Sequence, residues 1–341
     1  MNSRSSIART SLLILAGGVL ASCELPTEQS EFEERLVVFG HLTAHEPVTD
    51  TVFVSLAAPI DMPHEAGDRW VSDALVSLSD GETSFRLWPV EGHPGRYLDI
   101  ATPPHIIEPG REYTLTVEWQ DHMVTATTRV PETLSIASPT TSDWVCGGQP
   151  VVIPGLDLVP FNGSPGNLQR TLATGGFAEF PMDTVVYLEG PCYTSSFVSV
   201  PLFVVEWQAE PAAGLIRTVT IALEDTASNA IIDSSFAANA FKGPLLKDDE
   251  GNYYRAGTFA WNSASEIIPF SWLYFNYYGP HLVTVEITDA SIEEYFEGDP
   301  LRQNAYRLPN SNVEGGYGLF YSSYAASFLV YVAPDPETVQ P

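Results

Sequence analysis

Apolar and polar residues alternate along most of this chain with the two-residue period of a half-buried strand. In "REYTLTVEWQ", Tyr113, Leu115, Val117 and Trp119 are set against Thr114, Thr116 and Glu118. "MVTATTRV" does the same with Val124, Ala126, Thr128 and Val130, and Gln120-Asp121-His122 between the two runs predicts a tight hairpin. Upstream, "LVVFGHL", "TVFVSLA", "DALVSLS", "TSFRLWPV" and "RYLDIA" follow at short spacing, with Asp80-Gly81 as a favoured hairpin turn. About seven short strands in roughly 100 residues predict an immunoglobulin-like or transthyretin-like β-sandwich over residues 34–132.

From residue 133 to 183 the texture turns to Pro, Gly, Ser and Thr, which predicts a loop-rich linker or insertion. Strands resume in a second β-rich domain, 184–333, at "DTVVYLE", "PLFVVEWQ", "RTVTIALED", "PFSWLYFNYY" and "HLVTVEIT", and residues 334–341 form a tail. One short helix is expected at "SIEEYFEG", with Ser291 and Glu294 as a capping box and Gly298 as its stop. The fold class read from the pattern is therefore mainly β.

The N-terminus departs from this pattern. Residues 1–22 hold a polar stretch whose only charges are Arg4 and Arg9, then an apolar run too short to span a bilayer, as in a secretory signal. Leu20-Ala21-Ser22-Cys23 resembles the bacterial lipobox, so Cys23 is the expected lipidation site, with residues 23–33 as an acidic tether. Several acyl chains, at about 0.8 kcal/mol per buried methylene, make a firm anchor. Glu24 after the cysteine favours the outer membrane, on its periplasmic face or at the cell surface.

Removing residues 1–22 takes two of the 15 basic residues and none of the 43 acidic ones, moving the formal charge from −28 to −30. Such a field repels phosphate backbones and makes nucleic acid an unsuitable partner. Cys146 and Cys192 then remain in a compartment where disulfides persist. A bridge between them would stabilise by roughly 4 kcal/mol on a chain-entropy estimate.

Candidate chemistry is sparse. Phosphate-binding loops, HExxH and GxSxG are absent from the sequence, so no catalytic residue, metal site or cofactor is expected. His41 and His45, four apart on an extended segment, would lie about 13 Å from each other and read as solvent-facing histidines rather than metal ligands. Asp248, Asp249, Glu250 and Asn252 read as a charged turn rather than a calcium loop. In "WLYFNYYG", Trp272, Tyr274 and Tyr278 would share one strand face, either as a stacking platform for a ligand or as part of a strand buried on both sides.

The order "LVVFGHLT", "TVFVSLAAPI", "DALVSLSDGETSFRL", "PGREYTLTVE" and "TATTRVP", closed by "SIEEYFEGDPLRQN" and "PNSNVEGGYGLF", resembles the bacterial lipoproteins grouped as domain of unknown function 4249. Its most specific piece is Ser311-Asn312-Val313-Glu314-Gly315-Gly316. The chain departs from the family at Phe39, where an acidic residue is usual, and over residues 140–180. The resemblance implies a carboxypeptidase-regulatory-like N-terminal sandwich and a place near TonB-dependent outer-membrane receptors. It supplies no catalytic residues. The resulting expectation is a non-enzymatic accessory lipoprotein that assists a TonB-dependent nutrient importer, an outer-membrane β-barrel. The alternative is a surface adhesin or glycan-binding lipoprotein using the aromatic face.

Overall fold

The computed structural model describes residues 33–48, 52–58, 69–161, 180–188, 190–193, 199–210, 214–224, 229, 231, 246–247, 253–254, 256–262, 267–297 and 310–336. Strands run as β1 (Leu36–Thr43), β2 (Val52–Leu56), β3 (Leu75–Ser79), β4 (Ser84–Pro89), β5 (Arg96–Leu98), β6 (Glu112–Trp119) and β7 (His122–Arg129). After them come β8 (Thr133–Ala137), β9 (Thr141–Cys146), β10 (Gln149–Ile153), β11 (Asp183–Tyr187), β12 (Phe203–Glu210) and β13 (Leu215–Ala222). The rest are β14 (Leu246–Lys247), β15 (Tyr253–Tyr254), β16 (Ala256–Asn262), β17 (Ile267–Phe270), β18 (Gly279–Thr288), β19 (Val313–Glu314) and β20 (Tyr317–Pro334), with one helix, α1 (Ala290–Glu297), between β18 and β19. The fold is mainly β and sandwich-like, as the alternation predicts.

In β6 and β7 the predicted faces hold. Tyr113, Leu115, Val117, Val124 and Ala126 point into a dry core with Val38, Val54, Val76, Leu78 and Leu87, while the intervening threonines stay outside. The sheet order β20-β1-β2-β5-β4-β3-β6-β7-β19 curls around that core. β19 and β20 are consecutive in the chain, separated by Gly315 and Gly316, so the curl closes on itself.

Glycine makes this closure possible. Gly318 lies at φ +127, and a Cβ there would stand 1.8 Å from the Val38 carbonyl oxygen, so a side chain is excluded where β20 meets β1. Gly315, at φ +80, makes the turn into β20. The Asn312 side chain then accepts from Phe320 N at 2.9 Å and donates to Phe320 O at 2.6 Å. The glycine-rich stretch from Asn312 to Gly318 is thus a backbone device that welds the C-terminal strand to the N-terminal one.

β20 serves two cores. Its first half pairs in parallel with β1, Val37 to Thr43 against Tyr317 to Ser323, and its second half pairs antiparallel with β18. Phe320 enters the first core, whereas Phe328, Val330 and Val332 enter a second. These residues share one parity, so both cores lie on one face of the strand. The second core is completed by Phe203, Val205, Ile216, Ile268, Phe270, Val283, Val285 and Ile287, and a small sheet ordered β17-β12-β8 contributes part of it.

Four local expectations are corrected. Residues 133–153 are not a plain linker: β8 joins the sheet of the second core through β12, and β9 pairs with β10. The partner of β8 lies about 70 positions downstream, Glu206 opposite Ala137, so no neighbouring strand marks it in the sequence. The Asp80-Gly81 turn extends over Asp80–Thr83, with the Asp80 carboxylate accepting from the Glu82 and Thr83 amides. The helix is capped by Asp289 rather than Ser291, because the Asp289 carboxylate accepts from Ser291 N at 3.2 Å. Trp272–Tyr274 form a 3-10 turn, not a strand, with Tyr274 N bonding Ser271 O and Phe275 N bonding Trp272 O. The Cys146–Cys192 disulfide is formed and ties the β9–β10 hairpin to the segment preceding β12.

Candidate functional site

The outward face of β20 carries the densest polar chemistry among the described residues. Mid-strand charges on two neighbours, Arg217 of β13 and Glu286 of β18, lie directly opposite in the ladder. The guanidinium reaches one Glu286 oxygen through Nε at 2.7 Å and Nη2 at 2.5 Å. The other oxygen lies 3.3 Å from His41 Nε2, which also sits 2.7 Å from Ser323 Oγ. The His41 ring stacks on Tyr321 with centroids 4.4 Å apart. His41 is therefore part of an inter-strand network and not the solvent-facing histidine its position suggests.

Burial pushes the Glu286 carboxyl upward, but the His41 hydrogen bond and the Arg217 charge outweigh it and hold the pKa at about 2. Burial lowers the Arg217 pKa, and the Glu286 and Tyr321 contacts reverse that and raise it. Serine, histidine and glutamate in contact invite comparison with a nucleophile relay. In such a relay the hydroxyl and the carboxylate occupy opposite ring nitrogens. Here both meet Nε2, and Ser323 is fully buried. The arrangement fastens β1, β20, β18 and β13 to one another.

Three residues beyond Glu286, Asp289 sits in a different setting. Thr128 of β7 donates a short hydrogen bond to its carboxylate, Ser291 Oγ donates at 3.1 Å, and Thr128 also meets Ser322 Oγ at 2.7 Å. With hydroxyls and amides but no cation against it, burial dominates and raises the Asp289 pKa. This node ties the first sandwich to the start of α1.

The aromatic segment does not present a platform. Trp272 and Tyr274 are 3% and 2% exposed, and Tyr278 is half-buried with its ring edge-on to Tyr187. Thr218 Oγ1 donates to the Tyr274 hydroxyl at 3.3 Å. Trp272 and Tyr274 help fill the second core, as in the buried alternative, and this removes the stacking platform that Trp272, Tyr274 and Tyr278 would have shared. Beside it, His281 is 1% exposed with Nδ1 3.0 Å from Gly279 O and Nε2 unpaired. Burial lowers its pKa to about 4.

A groove of about 610 Å³ opens where the two cores meet, between the end of β1 and β8, with His45, Glu46, Ser135 and Tyr324 among its walls. His45 adopts φ +65 and packs edge-on against Tyr324. Burial raises the Glu46 pKa, partly offset by His45. Cys23 and the residues 248–250 and 252 lie outside the described residues. The Arg217–Glu286–His41 network escaped sequence reading, although Arg217 opening the apolar alternation of "RTVTIAL" and the lone charge Glu286 inside "VTVEIT" were its signal.

No curated protein matches the chain. No helix among the described residues is long and apolar enough to cross a membrane. The segment 22–145, which runs through β1 to β8 and into β9, matches the model of the family described as domain of unknown function (DUF4249).

Proposed function

We propose that the protein is an outer-membrane-anchored accessory lipoprotein that docks on a β-barrel importer of the TonB-dependent kind and acts through the surfaces it presents, without turnover. The lipobox ending in Cys23 supports the anchor, and the family resemblance supports the neighbourhood. The carrying observation is that Ser323, His41, Glu286 and Arg217, the densest cluster of chemistry-bearing side chains among the described residues, are engaged in holding strands together. What remains for function is sheet faces and loops, which suit docking.

The test is affinity purification of the full chain after cross-linking in its native membrane. The expected outcome is co-purification with an integral β-barrel in fixed stoichiometry, and no turnover of polysaccharide, peptide or ester panels. Cys23→Ala should release the protein from the membrane fraction and abolish fatty-acid labelling. Recovery of the protein alone, or hydrolysis of any panel substrate, would overturn the reading.

A further inference from the structure

The groove between the end of β1 and β8 gathers polar side chains that the fold itself leaves unengaged. The chain leaves β1 through a turn at Thr43–Glu46, closed by Glu46 N on Thr43 O at 3.2 Å and pinned where His45 N donates to Ile107 O at 2.8 Å. His45 takes φ +65 here, one of two non-glycine positions with positive φ among the described residues. The other, Gln120, lies in the β6–β7 hairpin turn, where that conformation is ordinary. At His45 it brings the ring edge-on to Tyr324 in the wall of the groove, and a strained side chain of this kind points to a site.

Glu46, its neighbour, differs from the other partly buried acids. Asp99 accepts from the Ala101 and His105 amides, Asp289 from the Thr128 and Ser291 hydroxyls, and Glu286 meets Arg217 and His41. The Glu46 carboxylate accepts no hydrogen bond among the described residues, and burial raises its pKa against the weaker effect of His45. The His45 ring nitrogens and the Tyr324 hydroxyl are likewise without hydrogen bonds there. A carboxylate drawn partly out of water with open acceptor sites gains most from a donor that enters the same space. No lysine or arginine lines the groove, and its apolar wall is formed by Leu134, Ile136, Leu158 and Pro160.

We propose that this groove binds a small organic cation, a primary amine on an aliphatic or aromatic body, with the ammonium at Glu46 and the body against Leu134, Ile136, Leu158 and Pro160. An ammonium brings three N–H donors and no acceptor, which suits a carboxylate flanked by an imidazole and a phenol hydroxyl. The volume of about 610 Å³ falls within the roughly 300–1,000 Å³ of small-molecule sites, which favour junctions between packed units. An anion would meet no basic side chain in these walls. A metal ion would lack ligands, because no group of three His, Cys, Asp or Glu side chains able to hold one occurs among the described residues. The formal charge of −28 concentrates cations around the molecule. The inference goes beyond the accessory reading and does not depend on it, since binding is measured on the protein alone.

The experiment is isothermal titration calorimetry of the full lipoprotein in nanodiscs of zwitterionic phospholipid near neutral pH, with empty nanodiscs as the blank. The probes are 2-phenylethylamine and tryptamine. For the first, 2-phenylethanol and phenylacetate keep the aromatic body and carry a neutral or an anionic head. Saturable binding of an amine is expected, about tenfold tighter than the alcohol, with phenylacetate not bound. Glu46→Gln should weaken the amine about tenfold and leave the alcohol within about twofold. Ser135→Trp, at an exposed position of the wall, should abolish binding of amine and alcohol alike by filling the groove. Both substitutions lie at positions that touch solvent, so thermal unfolding of the variants should match the parent. Failure of both amines to bind, an alcohol or phenylacetate that binds as tightly as the amine, or an amine affinity unchanged by Glu46→Gln or by Ser135→Trp overturns the proposal.

Discussion

In the first core the buried Tyr97 hydroxyl donates to Val71 O at 2.9 Å and accepts from Ala74 N at 3.0 Å, whereas in the second the Trp272 Nε1, Asn276 Oδ1 and His281 Nε2 atoms are buried without a hydrogen-bond partner among the described residues. Both cores pack on the same face of β20, so the difference does not come from the strand they share. It comes from assembly. The first core is a run of short hairpins, and Tyr97 bonds a loop that lies beside it. The second is built from segments far apart in the chain, and its aromatic turn is placed by volume before polarity. Each unpaired buried polar atom costs about 1–3 kcal/mol. The second core therefore holds the weaker, more pH-sensitive margin.

The largest expected effect abolishes the comparison altogether. Gly318→Val places branched carbon against the Val38 carbonyl at a positive φ, so β20 cannot seat beside β1 and both cores should be lost together. Near-UV circular dichroism of the variant would show no tertiary signal; a variant that keeps one cooperative transition would mean the cores are independent of this strand junction.

Next in size is Arg217→Ala, which leaves the nearly fully buried Glu286 without its cation and should cost about 3 kcal/mol by denaturant unfolding near neutral pH. The loss should shrink toward pH 2, where Glu286 takes up a proton. Its folded pKa lies below the ordinary carboxylate value, so its contribution is present above about pH 4.5 and fades as pH falls toward about 2. A cost that stays constant down to that pH would remove the charge argument.

His281 titrates the second core in a separate window. The unfolded chain binds its imidazole proton near pH 6.5 and the folded chain only near 4, so between these values the unfolded state holds more protons and stability falls as pH drops, by about 3 kcal/mol in all. The groups around the ring, Gly279 O and Phe275, offer the imidazolium no countercharge. His281→Phe should erase this acid loss while changing stability at pH 7.5 by about 1 kcal/mol or less, since the gain from deleting the unsatisfied Nε2 offsets the lost Nδ1 contact with Gly279 O. An unchanged pH profile in the variant would contradict it.

The smallest effect sharpens the contrast from the other side. Tyr97→Phe removes a satisfied hydroxyl and strands the Ala74 amide, so it should cost about 1–2 kcal/mol with no dependence on pH between 4 and 7. If His281→Phe and Tyr97→Phe cost the same at pH 7.5, the two cores do not differ as described.

What the sequence makes legible follows the same divide. β6 and β7 could be placed nearly to the residue because each strand has one wet face, and alternation records that directly. Trp272 to Asn276 are all buried, so no period survives to tell a 3-10 turn from a strand. β8 was hidden in the loop-like stretch because its partner β12 lies far downstream. Cys146 and Cys192 could be paired by elimination, whereas the contact of His41 with Ser323 across 282 positions required the fold. The glycines of "VEGGYG" stand out in the sequence, but their reason, a backbone approach too close for any Cβ, belongs to the three-dimensional junction.

That junction also sets how the molecule bears load. β1 and β20 run parallel, with seven paired positions from Val37 to Thr43. A pull on the chain upstream of Leu36 acts along β1, so it shears the ladder and strains its hydrogen bonds together instead of peeling them one at a time. Resistance of this kind is set by the unfolding rate under force and not by equilibrium stability. The N-terminal anchor proposed above would pull along this same direction.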